Sequence, residues 1–481
     1  MKTNHKIIMT LLVIISITAL SIISATYSRF VYKQSIQKTI TVPEYNHCLA
    51  NGITNLNDCI LVNEANYLSV DAATSAISLK TVDYTTPSTT DEGLLKETDN
   101  YGDTYYFRGA ADDNYIQYAG HIWRIIRVNG DGSTRIIYAG ATPDATGSAT
   151  AIGISKYNDT TDIDMTYVGY KYGLSKEFKA TTLVGYDNIK QDVEYSFGTS
   201  YTCDELSKTC TIDGTITTGL WSDVYKTVTS EMENVERPAY TCWQSDPTTS
   251  CNIITFIGIN TLPDSTTPPT AITVNYLGYI STSYESTLTN VYDSTIKTTI
   301  DNWYNENILL KNDSNNISYA NYLSDSGFCT DRSLGVGDGN TLMLNTVYGA
   351  YRRNATSKEP SLMCGSNIQD LLTVENTGYG TLTYPIGLIT ADEITMSGVI
   401  TEVEAASNYL DTGINFWTMS PAYFKVNKLT STNFIYGRTK ILQTHVTNSG
   451  SHIRPVVNLS PNVKVTRGNG TISNPYQITL N

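Results

Sequence analysis

The chain has 481 residues, of which 46 are acidic and 32 basic, giving a net charge of −14. Affinity for the phosphate backbone of a nucleic acid requires clustered Lys and Arg, so nucleic-acid binding is not expected. The commoner meaning of such a charge is solubility.

Taken from the N-terminus, Lys2 and Lys6 precede an uncharged run from Ile7 to Ala25 dominated by Ile, Leu, Val and Met. As a helix this run rises about 28 Å, close to the ~30 Å hydrocarbon core of a bilayer. A cut after Ala25 would leave Ile23 two residues upstream, a poor cleavage site, so residues 1–28 are expected to remain as a signal anchor. Arg29, Lys33 and Lys38 follow the span, and the positive-inside count is nearly balanced. The cysteines orient the chain instead. Cys48, Cys59, Cys203, Cys210, Cys242, Cys251, Cys329 and Cys364 all follow the span, and none forms a CxxC pair. Only His121, His445 and His452 lie in the main body, so zinc is poorly supported, and scattered even-numbered cysteines fit disulfides in an oxidising compartment. Sequential pairing closes the shortest loops and is the expected order. The alternative is eight buried thiols. The C-terminal Ile478-Thr479-Leu480-Asn481 carries no apolar tail or sorting signal, which leaves the N-terminal segment as the expected anchor.

Residues 29–100, rich in Thr, Ser and Asn, are expected to form a spacer with a small Cys48–Cys59 loop and a short helix around Leu61–Tyr67. From Tyr101 the pattern turns β-rich. His121-Ile-Trp-Arg-Ile-Ile-Arg-Val128 and Thr134-Arg-Ile-Ile-Tyr138 flank Asn129-Gly-Asp-Gly132, which predicts a hairpin because such turns need positive φ. Arg124 and Arg127 suggest a wet face. The Asp-rich turn also invites a calcium reading, although turn chemistry alone explains its residues. Residues 140–290 alternate short β-type runs with Gly, Pro and Thr. A helix is predicted from Ser294 to Leu310, capped by Asp293 or Ser294, with Ile296, Ile300, Trp303, Tyr304 and Leu310 on one side. The resulting fold class is α+β and β-rich: an N-terminal transmembrane helix, then an antiparallel-sheet ectodomain over 101–481 with few short helices.

The last third carries three strings: Thr390-Ala-Asp-Glu393 as a capping box closed by Gly398, Phe416-Trp-Thr-Met-Ser-Pro421 as a β run, and Ile453-Arg-Pro-Val-Val-Asn-Leu459 as a late strand. A capped helix and two core strands account for all three. Together with Tyr105-Tyr-Phe-Arg-Gly109, Trp123-Arg-Ile-Ile-Arg-Val128 and Ser324-Asp-Ser-Gly-Phe-Cys-Thr-Asp-Arg-Ser333, they also resemble a group of uncharacterised bacterial membrane-anchored surface proteins. The resemblance spans roughly residues 100–475 and brings no activity with it. The order of capped helix, Phe-Trp-Thr strand and Arg-Pro-Val strand is more distantly similar to the C-terminal half of C-type-lectin-like and formylglycine-generating-type domains. That similarity implies a twisted antiparallel core with long loops. No Trp-Asn-Asp motif is present, and Glu359-Pro360-Ser361 stands beside no calcium loop, so a calcium-dependent sugar site is not carried over.

Gly-x-Ser-x-Gly, His-Glu-x-x-His and phosphate-binding loops are missing, and the glycines of Gly335–Asn340 precede no helix. With 35 tyrosines against 9 phenylalanines, the chain is rich in a rigid side chain with a hydrogen-bonding tip, suited to recognition and equally to the wet faces of strands. The expected function is recognition or adhesion towards an extracellular glycan or protein. The stretch from Trp417 to Arg454 is the candidate face, with Tyr423, Tyr436 and His445 as ligand-binding residues in loops. Two alternatives stand beside this: an extracellular carboxylate-dependent hydrolase, and a structural envelope protein without a discrete ligand.

Overall fold

In the computed structural model, the residues described are 46–160, 165–174, 284–336, 346–365, 368–375, 380–401, 403, 405, 407–425, 430–437 and 440–480. The backbone of eight strands between 176 and 282 is described as well. The predicted anchor, residues 1–28, lies outside these. Among the described residues no helix is long and apolar enough to cross a membrane.

The predicted hairpin organises the largest sheet. β1 (Asp91–Asp99) pairs with β2 (Gly102–Gly109), and β2 pairs with β4 (His121–Val128); β3 (Tyr115–Tyr118) and β5 (Thr134–Gly140) flank β4. The β4–β5 turn closes with Asn129 N donating to Ser133 O at 2.8 Å and Gly132 at φ +80°. Asp131 Oδ1 accepts from Ser133 N at 2.9 Å and from Ser133 Oγ, while its other oxygen accepts from Ser326 Oγ at 2.5 Å. The carboxylate proposed for calcium is thus engaged in holding the turn.

Beyond β5 the sheet continues through Val456–Leu459 to Ile386–Gly387, and beyond β3 through Tyr476–Thr479 to Lys464–Arg467. A second, seven-stranded sheet is built on Asn415–Lys425 and Thr430–Gly437, flanked by Thr346–Tyr348 and Ile441–His445. The fold is β-rich α+β, as the composition of runs suggested, but its sheets are mixed. Tyr476–Thr479 runs parallel to β3, Leu371–Thr373 parallel to Gly380–Thr381, and Phe416 pairs in parallel with His452. An all-antiparallel ectodomain is therefore corrected.

Three further expectations change. Residues 47–100 are no spacer, because His47–Asn481 form one compact unit. The helix Leu56–Ala65, capped by Asn55, buries Cys59, Ile60 and Val62, and backbone bonds from Leu56 to Val463 and from Val465 to Thr54 fasten it to the C-terminal segment. Arg124 and Arg127 do not line a wet face. Both are buried, because covering elements supply partners on that side of β4. Finally, the helix capped by Ser294 runs Thr295–Tyr304 and relaxes into a wider turn over Asn305–Leu309, which rotates Leu310 out to 70% exposure.

Two of the sequential disulfides are present, Cys48–Cys59 and Cys329–Cys364, with Cα separations of 4.9 and 5.5 Å, in the usual range for the bond. In the eight-strand segment, backbone register sets Cys203 opposite Cys210 and Cys242 opposite Cys251.

Candidate functional site

Two concavities differ in kind. The first is a cleft of ≈ 30 Å³, room for a water molecule or two, where several of the distinctive sequence strings converge. Its centre is the helix Ala391–Met396. The capping box forms in full: Glu393 N donates to Thr390 Oγ1 at 3.1 Å, and Glu393 Oε2 accepts from Thr390 N at 2.9 Å. That leaves Glu393 Oε1 for Arg135 Nε at 2.5 Å and Arg127 Nε at 3.1 Å. Arg127 also donates to Asp99 at 2.5 Å. One residue earlier, Asp392 receives Arg353 through both its oxygens at 2.9 and 2.8 Å, and Arg353 reaches Asp331 at 2.5 Å. Gly365 makes this packing possible, because a Cβ there would collide with Asp331 Oδ1.

The electrostatics follow from these pairs. Burial pushes the Glu393 carboxyl up, but Arg135 and Arg127 outweigh it and hold the group below the usual glutamate range. For Asp392, burial wins over Arg353 and raises the carboxyl. The carboxylates of this cleft are held by arginines in a space too small for a sugar ring. Hydrolysis needs a nucleophile or a base with room for substrate, so the cleft reads as a structural ionic core.

The second concavity is an open groove of ≈ 510 Å³, within the range of small-ligand sites. Tyr118, Tyr319 and Tyr322 form its aromatic part, with ring centroids 5.7–6.0 Å apart. Tyr118 ends β3, and the turn after it, Ala119-Gly120, has positive φ at both residues, the requirement of a two-residue hairpin turn. Tyr118 OH donates to the Tyr319 carbonyl at 2.8 Å, and Tyr322 OH donates to Asp313 Oδ2 at 2.6 Å. Asp313 Oδ1 accepts from the backbone of Asn315 and Ile317, both at 2.8 Å. The Tyr322 hydroxyl holds Asp313 below the usual carboxylate range, while burial first, and Asp313 second, push Tyr322 up to about 12. Exposed polar side chains rim the groove: Gln117, Ser314, Asn315, Thr466 and Arg467, whose Nε donates to Gln477 Oε1 at 2.6 Å. Tyr118 and Tyr322 are buried and Tyr319 is half-buried, so the accessible wall is mainly amide, hydroxyl and charged groups over one partly open ring, a surface suited to a polar, hydroxylated ligand.

The residues expected to bind ligand lie elsewhere, and in strands instead of loops. Tyr423 is half-buried in Asn415–Lys425, packed edge-on against Tyr351, and His445 is exposed at the end of Ile441–His445. Tyr436 lies in Thr430–Gly437, fully buried and stacked on Phe416 at 4.7 Å. Its predicted exposure is corrected, since the strand pairs on both edges and its ring is packed against Phe416. Many of the abundant tyrosines have the same fate, with Tyr157, Tyr170, Tyr304 and Tyr476 wholly buried. The groove escaped notice, although Asn312-Asp-Ser-Asn-Asn316 followed by Tyr319-x-x-Tyr322 marks a polar turn leading into paired aromatics. Among carboxylate groups, Asp91, Asp112 and Asp113 bring oxygens within 4.8 Å of one another and could hold a cation. Beside them, burial and then Asp113 raise Glu64 well above its ordinary range.

No family model, curated protein or solved structure matches the chain.

Proposed function

We propose that the chain is an extracytoplasmic recognition module, tethered by its N-terminal segment, whose tyrosine groove takes a glycan. The groove itself carries the reading: ≈ 510 Å³, open, with the half-buried Tyr319 ring set against buried Tyr118 and Tyr322, and a rim of amide, hydroxyl and charged side chains. Sugars offer an apolar face to a ring such as Tyr319 and hydroxyls to amides and carboxylates, and the Asp313 carboxyl beside it is held below its usual range. The order of capped helix, Trp417 strand and Arg454-Pro455 strand supports a C-type-lectin-like reading of the C-terminal part. The two disulfides support the oxidising compartment.

The test is an oligosaccharide array probed with the full chain, followed by calorimetry on any hit. Tyr319→Ala and Gln117→Ala should each weaken binding at least about tenfold, the loss of one good contact, with melting curves little changed. Absence of binding to every oligosaccharide, or binding that survives both substitutions, overturns the proposal.

A further inference from the structure

Two of the distinctive strings contribute arginines that belong to neither concavity. Arg124 on β4 is 7% exposed, and Arg454, just before Val456–Leu459, is wholly buried. Among the described residues neither forms an ion pair. Arg454 donates through Nε to the Tyr138 carbonyl at 2.9 Å and through Nη1 to the Leu410 carbonyl at 2.8 Å. Arg124 donates through Nη2 to the Ala111 carbonyl at 2.5 Å. Aromatic faces cover both cations: Arg454 lies 4.9 Å from the Phe416 centroid, and Arg124 lies 3.9 Å from Tyr115 and 5.3 Å from Tyr409. Four polar groups remain shut off from solvent without a hydrogen-bond partner: Arg124 Nε, Arg454 Nη2 and the hydroxyls of Tyr409 and Tyr436. They belong to one neighbourhood, since Phe416 stacks on Tyr436 and Leu410 directly follows Tyr409.

Burying a charge without an ion-pair partner is costly, and the Asp113 carboxyl acts on Arg124 only from beyond ion-pair distance. The strain registers on Arg454, which burial, and next the positive charge of Arg124, pull down to about 10. Cation–π contacts cover the faces of the guanidiniums but accept none of their in-plane N–H groups. A water molecule has two lone pairs and no charge, so a single one can neither accept four donors nor offset positive charge. An anion does both.

We infer that Arg124, Arg454, Tyr409 and Tyr436 enclose a binding site for a small monovalent inorganic anion of the halide class, held as an internal counter-ion of the fold.

The experiment melts the full chain in sodium chloride and in sodium gluconate at constant ionic strength, the second anion being too large for an enclosed site. Chloride should raise the melting temperature, by about 1–3 °C for each tenfold increase above its dissociation constant. The Tyr409→Phe/Tyr436→Phe double variant, which keeps both rings, should fold and lose most of that increment. Arg454→Met should abolish it, and if that variant does not fold, the tyrosine pair decides alone. Equal melting in chloride and gluconate overturns the proposal. So does a chloride increment that persists undiminished in the tyrosine pair, which would mark a general salt effect.

Discussion

The ionic cleft and the tyrosine groove both gather polar side chains, yet one is closed and the other open. In the cleft, Arg127, Arg135 and Arg353 meet Asp99, Asp331, Asp392 and Glu393, and the space left is ≈ 30 Å³. In the groove, Gln117, Ser314 and Asn315 are exposed beside the half-buried Tyr319 ring, and the space is ≈ 510 Å³. Charge density alone would have selected the cleft as the site. Pairing and space argue against it: its carboxylates are already clasped by guanidiniums, and ≈ 30 Å³ leaves a substrate no access.

That contrast breaks first at Glu393. Glu393→Gln leaves Arg127 and Arg135 buried against a neutral amide, and should cost about 3–5 kcal/mol in urea unfolding. A cost below about 1 kcal/mol would show that the cleft does not hold the fold together. Next, Cys329 joins the wall of the same cleft to Cys364 across 35 residues, and Cys329→Ser should cost about 3–4 kcal/mol by the loop-closure estimate. Peptide mapping without reductant should recover Cys48–Cys59 and Cys329–Cys364 as linked pairs.

A pH titration sharpens the comparison further. Glu393 is held below its unfolded value, so the stability it supplies is complete above the ordinary glutamate range and is lost as pH falls through its folded value. Asp392 acts in the opposite sense. Its raised carboxyl takes up a proton sooner in the folded than in the unfolded chain, which favours folding as pH drops through that window. Melts of wild type and Glu393→Gln should therefore converge in acid, and the Asp392→Asn difference should move the other way. Parallel curves would contradict both signs. The smallest effects belong to the surface: Gln117→Ala in the groove and His445→Ala outside it should each stay within about 0.5 kcal/mol. Only the first should disturb oligosaccharide binding.

Local signals were legible wherever backbone chemistry was self-sufficient. Asn129-Gly-Asp-Gly132 can close only a tight turn, Thr390-Ala-Asp-Glu393 satisfies its own helix N-terminus, and Ser294 caps its helix with its own hydroxyl. Each rests on bonds spanning a few residues, so no distant partner is needed to fix it. The nearest-neighbour pairing of Cys48–Cys59 was readable for the same reason.

What the tertiary structure alone decided is the side on which a polar residue falls. Arg124 and Arg127 stand three apart, a bulge between Ile125 and Arg127 sets both on one face of β4, and the arrival of Asp99, Glu393 and the rings of Tyr115 and Tyr409 places them inside. Tyr436 looked like a loop residue until strand pairing on both edges and Phe416 enclosed it. The groove, too, joins Tyr118 with Tyr319, Tyr322 and Gln477, segments separated by more than a hundred residues of chain. Local sequence determines the hydrogen bonds a short segment can make by itself. Burial of a charge or a hydroxyl depends on partners brought from afar, and those partners settled which polar cluster became core and which became surface.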